Sequence, residues 1–366
     1  MSWLQVVMVL LIPLVISFAA TPLVRKLAFI IGAVDKPDAR KVHTRIMPRL
    51  GGLAIFVATT IGLLVFTNTG FFPMYWMLLG SIVIVIIGIL DDMNPMSAKT
   101  KLLGQILAAM IVVYGGIRID FINVPFMDEP IYFGQWSWVI SILWIVGITN
   151  ALNLIDGLDG LASGVSSIAL SSIAIMSLMM GNITVATISL ILLGATLGFL
   201  YYNFYPAKIF MGDSGSLYLG FFLASLSILG FKNITMISYV IPILILGVPI
   251  FDTLFAIVRR YRSGLSITAP DKKHLHHCII SLGFSHRATV LIIYGITMMF
   301  SLAAIFLSQA TIWIAGIVLI LVLLFVTVGV EWTGIVGETK KPVTKLLMSF
   351  THWITEIGNN KPHIKG

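Results

Sequence analysis

Apolar runs long enough to cross a bilayer recur along nearly the whole chain, and that repetition limits the fold more than any single motif. They begin near Trp3, Leu50, Met74, Lys101, Trp138, Leu161, Ile183, Leu217, Ile237, Ala288 and Thr311. A helix crosses the hydrocarbon with about 20 residues. The sequence therefore predicts an all-α polytopic integral membrane protein with about eleven transmembrane helices and polar loops between them. Composition agrees: 58% of the residues are hydrophobic and only 10% are charged, whereas soluble domains carry about 25% charged residues. The single cysteine, Cys278, excludes an intrachain disulfide.

Charge then orients the spans. "WLQVVMVLLIPLVISFAA" has no basic residue before it and Arg25 and Lys26 after it, the reverse of a cleavable signal peptide, so the N-terminus is expected outside. Eleven spans then put 24–50, 91–101, 153–160, 201–216, 259–287 and 331–366 inside. These segments hold 21 of the 23 Lys and Arg, leaving Arg118 and Lys232 outside. A miscounted span would have mixed the two populations. The polar loops are expected on the cytoplasmic side of the membrane. The bilayer is the expected surroundings of the basic loops, and no nucleic acid partner is expected. Residues 1–330 are expected to form the transmembrane domain and 331–366 a cytoplasmic tail. In "KLLMSFTHWITEI", Leu346, Leu347, Phe350, Trp353 and Ile354 have the spacing of an interfacial helix, with a simple tail anchor as the plainer alternative. Alternation in "IRIDFINV" and "PIYFGQW" predicts a short outside hairpin. Two matched halves, common in transporters, are not apparent.

With this topology every dense polar cluster falls on one side. "ILDDMNPMSAKTK" supplies Asp91, Asp92, Lys99 and Lys101, and "NALNLIDGLDG" supplies Asn150, Asn153, Asp156 and Asp159. "NFYPAKIFMGDSGS" brings Lys208, Asp213, Ser214 and Ser216; "DKKHLHHCIISLGFSHR" brings His274, His276, His277 and neighbouring cations. "KVHTRIMPRLGG" adds His43, Arg45 and Arg49. Carboxylates near a bilayer are costly, about 2.5–3.5 kcal/mol each at a helix centre, so this many acids call for compensation. A divalent cation with hard oxygen donors, Mg²⁺ or Mn²⁺, would supply it together with a phosphate or diphosphate substrate. Plainer readings exist for each cluster: Asp91–Asp92 as a span-end cap, 150–159 as solvated helix-end residues, "MGDSGS" as an ordinary loop rather than a phosphate turn. A histidine zinc site lacks partners at zinc spacing. Asp252, inside "PIFDTLFAIVRR", has no assigned role.

Taken in order, the Asp pair, "NLIDGLDGLA", "FMGDSGSLYLG" and "HLHH" resemble the polyprenyl-phosphate N-acetylhexosamine-1-phosphate transferases of bacterial envelope synthesis, from about Arg25 to Arg287. Leu275 interrupts the histidines, and "HLHH" followed by "GFSHR" resembles the N-acetylglucosamine branch, which initiates polymers such as wall teichoic acid or O-antigen. The resemblance implies that undecaprenyl phosphate attacks the β-phosphorus of UDP-N-acetylglucosamine, giving undecaprenyl-diphospho-N-acetylglucosamine and UMP with Mg²⁺ or Mn²⁺. It implies Asp213 and Asn153 as metal ligands. The expected catalytic acids are Asp91, Asp92, Asp156 and Asp159, and the expected substrate contacts Arg49, Lys99, Lys101, Asn150, Asn153, His274, His276 and His277. Of these, Asp92, Arg49 and Lys99 are drawn from the charge clusters and the rest from the resemblance. Asp91 is the base that the resemblance implies, yet a phosphate monoester with a second pKa near ~6 is largely a dianion already, which favours positioning over deprotonation. A transporter or flippase for an anionic lipid-linked sugar is the alternative function, and a polytopic scaffold a third. Whether the chain forms a homodimer is left open by the sequence.

Overall fold

The computed structural model describes residues 1–36, 46–67, 72–123, 127, 129–231, 239–266, 271 and 273–335. Thirteen helices run through them: α1 (Trp3–Ile31), α2 (Gly51–Phe66), α3 (Phe72–Met93), α4 (Ala98–Tyr114), α5 (Trp136–Ile155), α6 (Leu161–Met179), α7 (Ile183–Asn203), α8 (Gly212–Phe231), α9 (Val240–Ile245), α10 (Gly247–Arg262), α11 (Leu275–Ser281), α12 (His286–Leu307) and α13 (Ile312–Thr333). The extended structure is two small antiparallel pairs, β1 (Val34–Asp35) with β2 (Met47–Pro48) and β3 (Phe121–Ile122) with β4 (Ile131–Tyr132). The second pair is the hairpin that alternation predicts. His43, Arg45, Lys232, Lys272 and the amphipathic stretch of the tail lie outside the described residues.

Eight helices (α1, α3, α5, α6, α7, α8, α12 and α13) are long and apolar enough to cross a membrane. The chain is thus a polytopic membrane protein. The other three expected spans are shorter. At about 1.5 Å per residue, the 16 residues of α2 and the 17 of α4 fall short of a ~30 Å core. The run near Ile237 is broken into α9 and α10 at Leu246. Pro249 explains the break, because it has no N–H to give the carbonyl four residues back.

Local chemistry sets the helix ends. Ser2 and Gln5 form a capping box on α1, and Ser97, Asn182 and Ser285 cap α4, α7 and α12 through their side chains. Inside α6, the hydroxyls of Ser167, Ser171 and Ser172 donate to carbonyls four residues earlier, so these three enter the bundle already satisfied.

The centre of the bundle is α8, buried along nearly its whole length and packed against α2, α3, α5, α6, α7 and α9. A helix apolar on every side belongs in such an interior. By contrast α13 buries only Ala315, Val322 and Glu331. Close approach at the first turn of α8 depends on glycine. A Cβ on Gly52 of α2 would lie 2.1 Å from the Gly215 nitrogen, and one on Gly88 of α3 would lie 2.3 Å from the Ser214 Cα. Both neighbours are backbone and cannot turn aside. Gly52→Val and Gly88→Val should each lower stability by about 1–3 kcal/mol or more, the usual cost of overpacking, read as a fall in the melting temperature of the detergent-purified protein. An unchanged melting temperature would refute the tight crossing.

Candidate active site

Two loop strands bring the site together before any charge is considered. Phe210 N–H donates to the Pro48 carbonyl at 2.9 Å, and the Gly51 and Gly52 N–H groups donate to the carbonyls of Phe210 and Met211 at 3.0 Å. This zipper lays residues 48–52 along 210–211 and carries Arg49 to the start of α8. Gly212 there has φ +73, and a Cβ on it would sit 2.4 Å from an Asp92 carboxylate oxygen, so glycine is required on both counts.

Asp92 closes that helix end from α3. Its Oδ1 accepts the Asp213 N–H at 2.8 Å and its Oδ2 the Ser214 N–H at 3.1 Å. An anion at a helix N-terminus is favoured by the unpaired N–H groups and the helix dipole. These amides, which a phosphate-binding turn would offer to substrate, are therefore taken by a side chain. Asp213 in turn is held between two cations, Arg49 Nη2 to Oδ1 at 3.1 Å and Lys101 Nζ to Oδ2 at 3.0 Å. Arg49 Nε also lies 3.6 Å from Asp92, and Lys101 Nζ 3.3 Å from Asp91. The other oxygen of Asp91 accepts the Met96 N–H at 2.7 Å, fixing the turn between α3 and α4.

The stripe ending α5 divides by role. Asn150 pairs with Gln105 of α4 through reciprocal amide bonds at 2.5 and 3.3 Å, which ties α5 to α4. Asn153 Nδ2 donates to Ser216 Oγ at 2.9 Å, three residues past Asp213, leaving its carbonyl oxygen as a donor atom for a cation. Asp159 accepts the Ala207 N–H at 2.9 Å, while its own N–H donates to His286 Nε2 at 3.0 Å, so it pins the loop before α8 to the start of α12. The Asp156 side chain has no hydrogen-bond partner among the described residues. Burial raises its carboxyl to about 7, an effect opposed by Arg49 and reinforced by Asp213, Asp92 and Asp159.

The histidine loop closes the other side. His274 stands at the N-cap of the short α11, with its Nδ1 2.8 Å from Asp252 Oδ2. His276 packs so tightly on Gly157 that a Cβ there would lie 2.4 Å from His276 Nε2. That buried Nε2 has no hydrogen-bond partner among the described residues. Burial, and then neighbouring His277, lower the ring to about 3, so it stays neutral in the physiological range. The rings of His276 and His277 are 4.2 Å apart.

The structure thus joins Arg49, Asp91, Asp92, Lys101 and Asp213 in one ion cluster, seats Asn153 beside it through Ser216, and sets His276 against the stripe at Gly157. Lys99 is exposed and contacts none of these carboxylates. Sequence reasoning passes over Gln105, places Ser216 and His286 in polar clusters without a site role, and leaves Asp252 without a role. Gln105 has a signal, lying four residues after Lys101 and so on its helical face. Ser216 has the same kind of signal, three residues after Asp213 on α8, whereas Asp252 and His286 are brought to their partners by packing.

Charge at the site fits a divalent cation. Among the described residues, Asp91, Asp92, Asp156 and Asp213 face Arg49 and Lys101 alone, four acids to two bases. No cluster of three or more His, Cys, Asp or Glu with metal-binding geometry exists among the described residues. Mg²⁺ needs no such cage: one or two carboxylates suffice when water and phosphate complete the shell.

Comparison with known proteins bears directly on this arrangement. The profile of glycosyl transferase family 4 matches residues 74–231, from α3 to the end of α8, and so takes in the Asp pair, the α5 stripe and Asp213. A probable undecaprenyl-phosphate N-acetylglucosaminyl 1-phosphate transferase of Bacillus subtilis (strain 168) is 48% identical over 93% of this chain and 96% of that protein. The chain belongs to glycosyl transferase family 4. Its similarity to two further relatives is lower and covers somewhat less of the chain. An undecaprenyl-phosphate alpha-N-acetylglucosaminyl 1-phosphate transferase of Thermotoga maritima is 33% identical over 85% of this chain and 94% of that protein. A phospho-N-acetylmuramoyl-pentapeptide-transferase of Halalkalibacterium halodurans is 31% identical over 84% and 98%.

The raised Asp156 in this family 4 site gives a signed prediction. In the unfolded chain its carboxyl ionises near 4, in the fold near 7; between those values only the unfolded form is ionised, so stability drains away as pH rises through the window. With chelator present, Asp156→Asn should melt at the same temperature as the parent near pH 4 and above it at pH 8. An Asn variant that melts lower at pH 8 would show that Asp156 is held ionised by partners.

Proposed function

We propose that the protein transfers N-acetylglucosamine 1-phosphate from UDP-N-acetylglucosamine to undecaprenyl phosphate. A phosphate oxygen of the lipid bonds to the β-phosphorus, the bond from that phosphorus to the bridging oxygen breaks, and UMP leaves with the bridging oxygen. Undecaprenyl-diphospho-N-acetylglucosamine is the other product, the first lipid-linked intermediate of an envelope polymer such as wall teichoic acid. The observation that carries this reading is the Arg49–Asp213–Lys101 cluster at the buried start of α8, in a chain 48% identical to the Bacillus subtilis protein.

Phosphoryl transfer asks mainly for positioning and charge neutralisation. Asp92 anchors the first turn of α8, so Asp213 has a fixed origin. Arg49 and Lys101 hold the Asp213 carboxylate and bring positive charge to where a diphosphate would lie. Asn153 and Asp213 would hold Mg²⁺ or Mn²⁺, which when bound neutralises the diphosphate and the departing UMP. Asp156 faces the same space, and the histidines bound it on the α11 side, where neutral His276 offers a ring nitrogen with no hydrogen-bond partner among the described residues. Asp159 and Asn150 act by holding the loop and α5 in place. Behind α11, an apolar cavity of about 320 Å³ among α10, α11, α12 and α13 suits an acceptor with a hydrocarbon chain.

Topology supports the same reading. This reading keeps the eleven crossings expected from the sequence by taking the short α2 and α4 and the broken α9–α10 as crossings beside the eight long helices. With the N-terminus outside, the site then lies at the cytoplasmic ends of the helices. There a water-soluble nucleotide sugar meets a lipid phosphate held at headgroup level. A flippase would hold its polar groups near mid-membrane, whereas these gather at helix ends. The tail 331–366 is read as cytoplasmic.

Purified protein given UDP-[¹⁴C]GlcNAc, undecaprenyl phosphate and Mg²⁺ should yield labelled lipid and UMP, and should stop when the metal is chelated. Asp213→Asn should cost about 100-fold or more, the scale of losing an electrostatic group from such a site. No labelled lipid and no UMP from the parent would reject the enzyme reading.

Asp91 gives a separate test. Its two oxygens are engaged by the Met96 N–H and Lys101, as a positioning group's would be. Asp91→Asn should therefore lose activity by a constant factor from pH 6 to 9. Steep recovery toward pH 9, where the acceptor is fully ionised without help, would make Asp91 the general base.

A further inference from the structure

Asp252 is the one buried carboxylate on α10, and the chemistry outlined above does not use it. It is the sixth residue of that helix at 3% exposure, in a wall made mostly of apolar groups of the α10–α13 cavity such as Val248, Phe251 and Phe255. An ionisable side chain in such a place is costly unless its oxygens are satisfied. Both are. Oδ2 lies 2.8 Å from His274 Nδ1, and Oδ1 accepts the Leu275 N–H at 2.7 Å.

We infer that Asp252 is a positioning residue for the transfer reaction, fixing His274 in the tautomer and orientation that present its Nε2 to the diphosphate. This rests on the transferase reading. A carboxylate accepts hydrogen bonds, so the proton of His274 sits on Nδ1, and the bond made by one ring nitrogen decides the state of the other. His274 Nε2 has no hydrogen-bond partner among the described residues, and the ring lies parallel to that of His276, 6.0 Å away at an interplanar angle of 4°. His276 is the ring packed on Gly157, at the end of the acidic stripe. Holding His274 therefore sets the spacing of the histidines against the loop that carries Asp156. The second oxygen on Leu275 N–H fixes the backbone of α11 at the same point, so ring and helix cannot turn independently.

Two donors meeting two acceptors makes the arrangement specific. Asparagine at 252 has the same shape but one acceptor oxygen, and its NH₂ must oppose either the His274 or the Leu275 N–H.

The test measures kcat and KM for lipid product with the parent, Asp252→Asn, His274→Gln and the double variant, all full length in detergent. The parent must turn over; an inactive parent would reject the transferase reading, whereas the variants bear on Asp252 alone. Asp252→Asn should lose about 10–100-fold in kcat, the usual scale for removing the partner that orients a functional histidine, with KM for the nucleotide sugar within about twofold by the same logic of lost orientation. The double variant should be no slower than His274→Gln, because Asp252 acts through that ring. Losses that multiply in the double variant, or full activity in Asp252→Asn, would overturn the inference. If Asp252→Asn does not fold, ¹⁵N-histidine spectra of the parent decide: a His274 signal from the Nδ1–H tautomer supports it, and one from the Nε2–H tautomer overturns it.

Discussion

The structure turns on the N-terminus of one buried helix. The first turn of α8 lies at the centre of the bundle, where its free N–H groups would go unsatisfied in an apolar core. Asp92 supplies the acceptors, and its charge together with that of Asp213 draws in Arg49 and Lys101 from two other segments. A requirement of folding thus gathers the groups that a diphosphate site needs. Removing one member would leave its partners charged and buried, which costs far more than the pairing contributes.

Small residues make that gathering physically reachable. Gly52, Gly88, Gly212 and Gly215 let three helices meet at backbone distance around the capped turn. Any side chain at these points would move Asp92 away from the amides it caps. Packing and electrostatics are therefore the same constraint seen twice, since the close approach puts the charges in range and the charges hold the approach. The histidine loop repeats the pattern on a smaller scale, with Gly157 admitting the His276 ring and Asp252 holding His274 from behind.

Much of this is readable in the residues. Membrane class and the position of most helices follow from apolar length, because a lipid-spanning backbone has few alternatives to a helix of about 20 residues. The short β3–β4 pair follows from alternation. The grouping of polar motifs on one side follows from the distribution of Lys and Arg. Asp91, Asp92, Lys101, Asn153, Asp156, Asp213 and His276 all belong to motifs legible in the chain, and each stands in or beside the cluster. What misleads is treating neighbours in sequence as equivalents. Lys99 and Lys101 are two apart on a helix and so point in different directions, and only Lys101 reaches the acids. Asn150 and Asp159 belong to the same periodic stripe as Asn153 and Asp156, yet they are spent on Gln105 and on the Ala207–His286 contacts.

The sequence by itself determined that this chain is a bundle of apolar helices with its chemistry at one set of helix ends, because hydrophobic length and charge asymmetry act locally and need no partner. Tertiary structure alone decided which acid does what. Asp92 became a cap and Asp213 the bridged carboxylate because partners 43 to 164 residues distant in sequence arrive at them. Asp156 has no hydrogen-bond partner among the described residues, with Arg49 the nearby cation that acts on it. Asp252, silent in a span of apolar residues, acquired its partner only when the loop 22 residues later folded back onto α10. Long-range packing sets those distances, and at such distances a few ångströms separate an ion pair from an isolated charge.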